Sequence, residues 1–292
     1  MYTIAQFVKE YPTDDSCLEK LFNIQYSQLK GCPACAVENA QYKRIKTRRC
    51  YQCVECGHQL YPTAGTIFEK TTTPLRFWFY AMYMMVVTRN GVSAKEIERA
   101  LGVTYKTAWR MAHKIREMMC NRPINKLKGD VMVDETALGG IERFRHKNKK
   151  KHVIGFSGKT VVIAMMEDKG KIIGLQISDK ANQDEFGTVV SKFVDKSSVL
   201  ITDGHGGYRK VGKEYSKHEI VSHEKNEYVN KNGYSTNAVE NYWSMFKRMV
   251  KGTHIHISSK HLPKYLAENT FRYENRARPD EMFDIMLSQL SS

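Results

Sequence analysis

The spacing of apolar positions changes character twice along the chain. From Leu75 to Val87 (LRFWFYAMYMMVV) they are nearly continuous, which predicts a mostly buried helix opened by Thr73 as N-cap with Pro74 at its first position. Ser93 and Glu96 have the S-x-x-E spacing of a capping box and predict a second helix through Ile97 and Leu101 to Gly102. Gly102-Val103 supplies a tight turn, and Thr104 caps a third helix running to about Met119. From Gly129 the period shortens. Asp130 to Asp134 (DVMVD), Thr160 to Met166 and Ile172 to Ser178 read as strands, the last two joined into a hairpin by the turn Asp168-Lys169-Gly170. Gln183 to Val194 reads as an amphipathic helix, Ser198 to Thr202 (SVLIT) as a fourth strand ending at Asp203, and Lys217 to Val221 as a fifth. Helices close the chain from about Thr236 and Lys260.

Three meandering strands, a helix, a further strand and a late helix bearing an acid make up the order of a ribonuclease H-like α/β core. The expected organisation is a cysteine-bearing module over residues 1–72, a helical segment over 73–122 and the α/β core over 129–285. Asn121, Arg122, Pro123 and Lys128-Gly129 mark the break before the core.

Seven cysteines bring in the first candidate chemistry. Cys32 and Cys35 (CPAC) and Cys53 and Cys56 (CVEC) are two C-x-x-C pairs, and two such knuckles present four thiolates tetrahedrally, as in a closed structural zinc site. Gly57 is placed to take the left-handed conformation that a knuckle turn needs. Cys50 and His58 remain alternatives for one of the four ligands, whereas Cys17 and Cys120 read as small thiols outside the site. The connection between the pairs is basic: Lys43, Arg44, Lys46, Arg48 and Arg49.

In a ribonuclease H-like core, acids ending the first and fourth strands lie side by side and an acid on a later helix faces them. Asp134, Asp203 and Glu240 occupy those places. Converging carboxylates suit two hard cations, Mg²⁺ or Mn²⁺, which together activate an attacking oxygen and stabilise a leaving one at phosphorus. Glu135 is the rival to Asp134, but strand alternation sends neighbours to opposite faces and favours Asp134. Gly204, Gly206 and Gly207 are expected to let a DNA backbone approach. Thr236 is expected to cap the late helix, on which Asn237, Glu240 and Lys247 share a face, so that Lys247 directs a cation toward phosphate. Trp243, among apolar neighbours, belongs to the core.

Charge sharpens the choice of partner. Lys and Arg number 46 against 31 acidic residues, a formal net charge of +15, which favours a polyanion. The basic residues are spread over the chain rather than gathered on one amphipathic helix, so nucleic acid is expected and a membrane surface is not. The helix, Gly-containing turn and helix of the second segment resemble a helix-turn-helix, with Tyr105, Lys106, Thr107 and Arg110 placed to enter a major groove. Arg143 to Lys151 (RFRHKNKKK) forms a further basic run that is either a DNA grip or a solvated loop. No apolar run reaches the length of a membrane span, and Met1 to Tyr11 does not read as a secretory signal, so cytoplasmic residence is expected.

The segments CPAC, CVECGHQLYPTAGTIFEKTTTPL, GVSAKEIERALGVTYKTAWRMAHKIR, VDETALGG, ITDGHGGY and STNAVENYWSMFKRMVKGTHIHISSKHLPKYLAENTFRYENR together resemble bacterial insertion-sequence transposases of the DDE type that begin with a zinc ribbon and are related to Merlin elements. The resemblance spans about residue 30 to 278. It implies transposition at terminal inverted repeats of double-stranded DNA, with the catalytic acids at Asp134, Asp203 and Glu240 and the accompanying lysine at Lys247. It also implies water and then a DNA 3′-hydroxyl as nucleophiles, two divalent ions, a structural zinc and a homo-oligomeric synaptic complex. Some members carry Asn at the third acid; this chain keeps Glu240. Two other readings stay open: a zinc-ribbon and helix-turn-helix regulator with an inactive core, and a nuclease that cleaves without joining.

Overall fold

The computed structural model describes residues 2–120, 125–139, 159–168, 170–177, 183–222 and 228–291. They fall into two units, Met1–Arg122 with Asn275–Ser292, and Pro123–Glu274. The core expected to reach residue 285 thus ends at Glu274, and the last helix packs with the N-terminal unit. The basic run 143–151 and the lysine of the hairpin turn lie outside the described residues.

The first unit opens with two helices, α1 (Ile4–Glu10) and α2 (Asp14–Gln25), each begun by a threonine capping box at Thr3 and Thr13. A three-stranded antiparallel sheet follows: β1 (Tyr42–Ile45), β2 (Cys50–Cys53) and β3 (Gln59–Leu60). Helix α3 (Leu75–Val87) is buried along most of its length, as its apolar run requires. Its expected cap is different, however. Thr73 does not cap it; the Asp14 carboxylate accepts from the N–H groups of Leu75 at 2.9 Å and Arg76 at 3.0 Å. A carboxylate serves a helix start better than a hydroxyl because it meets both the orphan donors and the positive end of the dipole.

Helix α4 (Ala94–Leu101) has the Ser93–Glu96 capping box, ends at Gly102 in the left-handed conformation (φ 66°), and is followed after Val103 and Thr104 by α5 (Tyr105–Cys120). Arg116, buried in α5, donates to the Val92 carbonyl at 3.3 Å and ties down the entry to α4. The closing helix α10 (Met282–Ser288) brings Phe283 against Phe7, Tyr11 and Phe79, an aromatic cluster that accounts for the C-terminus joining this unit.

The second unit is built on a mixed five-stranded sheet. Its elements are β4 (Asp130–Leu138), β5 (Thr160–Glu167), β6 (Ile172–Gln176), α6 (Gln183–Phe193), β7 (Val199–Asp203), a short α7 (Arg209–Gly212), β8 (Lys217–Val221), α8 (Asn237–Arg248) and α9 (Leu262–Glu274). The strands lie in the order β6-β5-β4-β7-β8, antiparallel from β6 to β4 and parallel from β4 to β8. This is a ribonuclease H-like arrangement.

Strand alternation builds a core on each face. Val131, Val133 and Leu200 join Phe186 and Val190 of α6 and Tyr208 on one face, while Met132 and Ile201 join Val239, Tyr242, Trp243 and Phe246 of α8 on the other. The helix packing is close: a Cβ on Gly174 of β6 would stand 2.6 Å from the Tyr242 hydroxyl. Trp243 is core, as expected. Among the described residues no helix is long and apolar enough to cross a membrane.

Candidate metal centres and nucleic-acid interface

The zinc ribbon is assembled from two equivalent local turns. In the first, the Cys32 N–H donates to the Val37 carbonyl and Ala36 N–H returns to the Cys32 carbonyl; in the second, Cys53 N–H donates to the His58 carbonyl and Gly57 N–H returns to the Cys53 carbonyl. The residue after each second cysteine has positive φ, 57° at Ala36 and 77° at Gly57, so that both knuckles curl their thiols inward. Cys32, Cys35, Cys53 and Cys56 consequently place their sulfurs within 4.8 Å of one another. The four soft donors fit a tetrahedral zinc ion.

The alternatives for this set fall away. Cys50 is buried elsewhere on β2, opposite Ile45, and His58 contributes its carbonyl to the second knuckle. Part of the basic connection is structural rather than free: Arg44 pairs with Asp15 at 2.8 Å, and Arg49 donates to the Thr71 and Thr73 carbonyls and lies 3.4 Å from Asp14.

The acids come together on one face of the sheet. Strand β4 does not end at Asp134 as its sequence suggested but runs on to Leu138, because β5 continues to pair with it as far as Leu138↔Thr160. It is the parallel pairing with β7 that stops there, the last registered pair being Val133↔Thr202. Asp134 and Asp203 are the next residues of the two strands. Both follow the alternation of Met132 and Ile201 and face the side covered by α8, the helix that bears Glu240. Glu135 follows Val131 and Val133 to the opposite side.

Electrostatics report the convergence. Burial, then the charges of Glu135, Asp203 and, more weakly, Glu240 push the Asp134 carboxyl up to about 7. Among the described residues the cysteines are the one group of three or more such ligands lying within 4.8 Å of each other, so the carboxylates meet at longer range. Two ions about 3.5–4 Å apart, each about 2.1 Å from its oxygens, accommodate outer ligands up to about 8 Å apart. The donor chemistry and the raised carboxyl of the partly buried Asp134, crowded by acidic neighbours, fit divalent cations.

Four supporting contacts had no signal in the sequence beyond their motifs. The Thr236 hydroxyl does not cap α8; it donates to Glu240 Oε1 at 2.7 Å and orients that carboxylate. The His205 N–H donates to Asp203 Oδ1 at 3.0 Å. On the other face the fully buried Tyr208 donates its hydroxyl to Glu135, and His205 Nδ1 stands 3.4 Å from the same carboxylate. Burial raises Glu135 above the usual carboxylate range despite the Tyr208 bond. Gly207 does not serve DNA approach, since a Cβ there would lie 3.0 Å from the His205 ring and 3.3 Å from Phe186; Gly204 has open space. Lys247 is exposed on α8.

At the start of α5, Tyr105, Lys106 and Arg110 are exposed. Thr107 is less free than expected, because it shares a hydrogen bond of 3.0 Å with the Thr104 hydroxyl and donates its N–H to the same oxygen. Trp109, 38% exposed and stacked on His113, shares this helix and was missed.

Comparison with known proteins adds the following. Residues 126–274 match the model described as the ISXO2-like transposase domain, and residues 12–59 match the transposase zinc-ribbon domain. A protein of Halobacterium salinarum described as an uncharacterized protein in transposable element ISH50 is 24% identical over 93% of this chain and 95% of its own length. Among solved structures, one described as the Mos1 strand transfer complex aligns over 76% of this chain and 77% of its own at 12% identity and a TM-score of 0.30. That likeness is too slight to weigh, so the fold assignment rests on the strand order.

Proposed function

Because the chain belongs to the ISXO2-like transposase family, we propose that this DNA transposase cuts and joins strands with Asp134, Asp203 and Glu240 as its catalytic acids and Lys247 as their cationic companion. The observation that carries the reading is the placement of Asp134 and Asp203 next to each other on the sheet face covered by the Glu240 helix. Bound there, two Mg²⁺ or Mn²⁺ ions supply Lewis acidity to the attacking and leaving oxygens of an in-line displacement at phosphorus.

The chain's own residues set up that displacement. Asp134 and Asp203 supply oxygens from neighbouring strands whose backbones are fixed by the sheet. Glu240 supplies a third from the helix, turned toward the site by the Thr236 hydroxyl. The His205 N–H holds one Asp203 oxygen and leaves the other to the site. Lys247, exposed seven residues along α8, is the cation we assign to substrate phosphate. The ribbon and the α4–α5 pair, with Tyr105, Lys106, Thr107 and Arg110 at the head of α5, are the modules that recognise the element's ends in duplex DNA. Synapsis of two ends calls for at least a dimer, acting in the cytoplasm.

The test is incubation with the element's terminal DNA in Mg²⁺. Asp134→Asn, Asp203→Asn and Glu240→Gln are each expected to lower both cleavage and strand transfer of pre-cut ends by about a thousandfold or more, in line with loss of charge stabilisation at a reacting centre. Wild-type rates in all three would remove the assignment. Cleavage without joining of pre-cut ends would instead make the protein a nuclease.

A further inference from the structure

We propose that Ile255 is a wedge that enters a base step of the DNA held by the second unit. The inference rests on the reading of this chain as a DNA-cleaving transposase. Helix α8 passes into a π-turn over Met249–His254, and Ile255 follows with φ 62° and ψ −51°. The His256 N–H bonds to the His254 carbonyl at 2.6 Å, closing a γ-turn of the rarer, strained hand with Ile255 at its centre. A β-branched residue is among the poorest choices for positive φ, and such outliers persist only where flanking structure holds them, typically at ligand contacts. The flanks do hold it. The His254 ring packs edge-on against Tyr265 of α9 at 4.7 Å, and Ile257 packs against the α8 core.

The side chain so held is 83% exposed, the most exposed of the large apolar residues described. Folding gains nothing from it, and glycine would relieve the backbone. Its neighbours along the chain point to what it meets. Between Asn241 and Ala267 there is no carboxylate, and Lys247, Arg248, Lys251, Lys260 and Lys264 are accompanied by His254, His256 and His261. An exposed apolar side chain in a stretch of sequence this rich in basic residues suits a duplex, whose phosphates attract the stretch while an aliphatic group slides between bases; a membrane or an apolar protein surface would want more than one such residue.

The experiment uses the full-length protein and duplexes of the element's terminal end, with 2-aminopurine placed singly at positions around the cleavage point. In buffer without Mg²⁺ or Mn²⁺, the structural zinc kept in place, and at saturating protein, the wild type is expected to raise fluorescence about fivefold at one step, the signature of unstacking by an inserted side chain. Ile255→Gly should reduce that to near the free-duplex value while keeping a thermal midpoint at or above wild type; Ile255→Leu should retain most of the signal. In Mg²⁺, cleavage by the glycine variant should fall about tenfold or more.

The proposal is overturned if the glycine variant unstacks the step like wild type. It is equally overturned if its losses track a lower thermal midpoint, or if it changes oligomeric state and leaves the DNA signal intact. Failure of wild type to cleave would count against the catalytic reading; the fluorescence without Mg²⁺ or Mn²⁺ would still decide the wedge.

Discussion

The two candidate metal centres are put together in opposite ways. The zinc ribbon gathers its ligands from two turns of like construction, and the four sulfurs lie within 4.8 Å before any ion is considered. The acid centre draws Asp134, Asp203 and Glu240 from two strands and a helix, and leaves their oxygens farther apart. A closed site made by local backbone geometry stores its binding energy in folding. An open site made by tertiary structure keeps like charges apart, a spacing that the proposed reading fills with ions and phosphate. The contrast teaches that the same word, metal site, covers a fastener in one unit and, on the proposed reading, a reaction centre in the other.

The sharpest way to break this comparison is to remove a knuckle ligand. Cys53→Ser is expected to abolish stoichiometric zinc and unfold the ribbon at room temperature, since structural zinc contributes about 10–16 kcal/mol of apparent binding energy in ribbon-sized peptides. The sheet unit should keep its response to Mg²⁺. Zinc analysis and far-ultraviolet circular dichroism, with Mg²⁺-dependent shifts in thermal midpoint as the second readout, would check it. A ribbon that stays folded without zinc would show that the fastener is its β-sheet and not the ion.

Next in size is the proton at Asp134. Its carboxyl, ordinarily near 3.8, is raised to about 7 by burial and by its acidic neighbours. A raised acid favours the folded state fully below its unfolded value, and that contribution is lost as pH climbs from about 4 through about 7. The metal-free protein should therefore lose stability over this window. The loss is bounded at about 4 kcal/mol and expected to be about half that after screening. Asp134→Asn should flatten the profile while Mg²⁺ stabilises the wild type more at pH 8 than at pH 5.5. If the profile of the variant matches wild type, Asp134 does not sit among charges.

These two centres also mark how far the chain could be read without its structure. The paired knuckles were legible, with Cys50 and His58 left open, because C-x-x-C turns are fixed by residues close together in the chain. The neighbouring placement of Asp134 and Asp203 followed from the order of the elements, and alternation separated Asp134 from Glu135. What escaped was set by partners distant in sequence. Strand β4 runs past Asp134 because β5 is there to pair with it. Helix α3 is capped by Asp14 rather than Thr73, a partner some sixty residues away that no local rule selects. The Glu135–Tyr208 bond likewise joins the middle of β4 to the turn after β7, 73 residues apart in sequence. Helices α1 and α2 were passed over although Thr3 and Thr13 carry short-range caps, a signal that was present and weak.

The smallest effect tests the boundary of the fastener itself. Cys50 repeats the three-residue spacing with Cys53 and Cys56, yet it is fully buried on β2 opposite Ile45 and its sulfur is not among the four. A buried thiol outside a metal site acts as a small apolar side chain, so Cys50→Ala should cost about 1 kcal/mol and leave one zinc per chain. Cys56→Ala, one knuckle position along, should lose the metal. Were Cys50→Ala to lose zinc while Cys56→Ala kept it, the sulfur set would be shifted by one knuckle. The two-turn symmetry that distinguishes this centre from the acid one would then be an accident of backbone geometry, so metal stoichiometry in this pair of variants decides whether local turns alone choose the ligands.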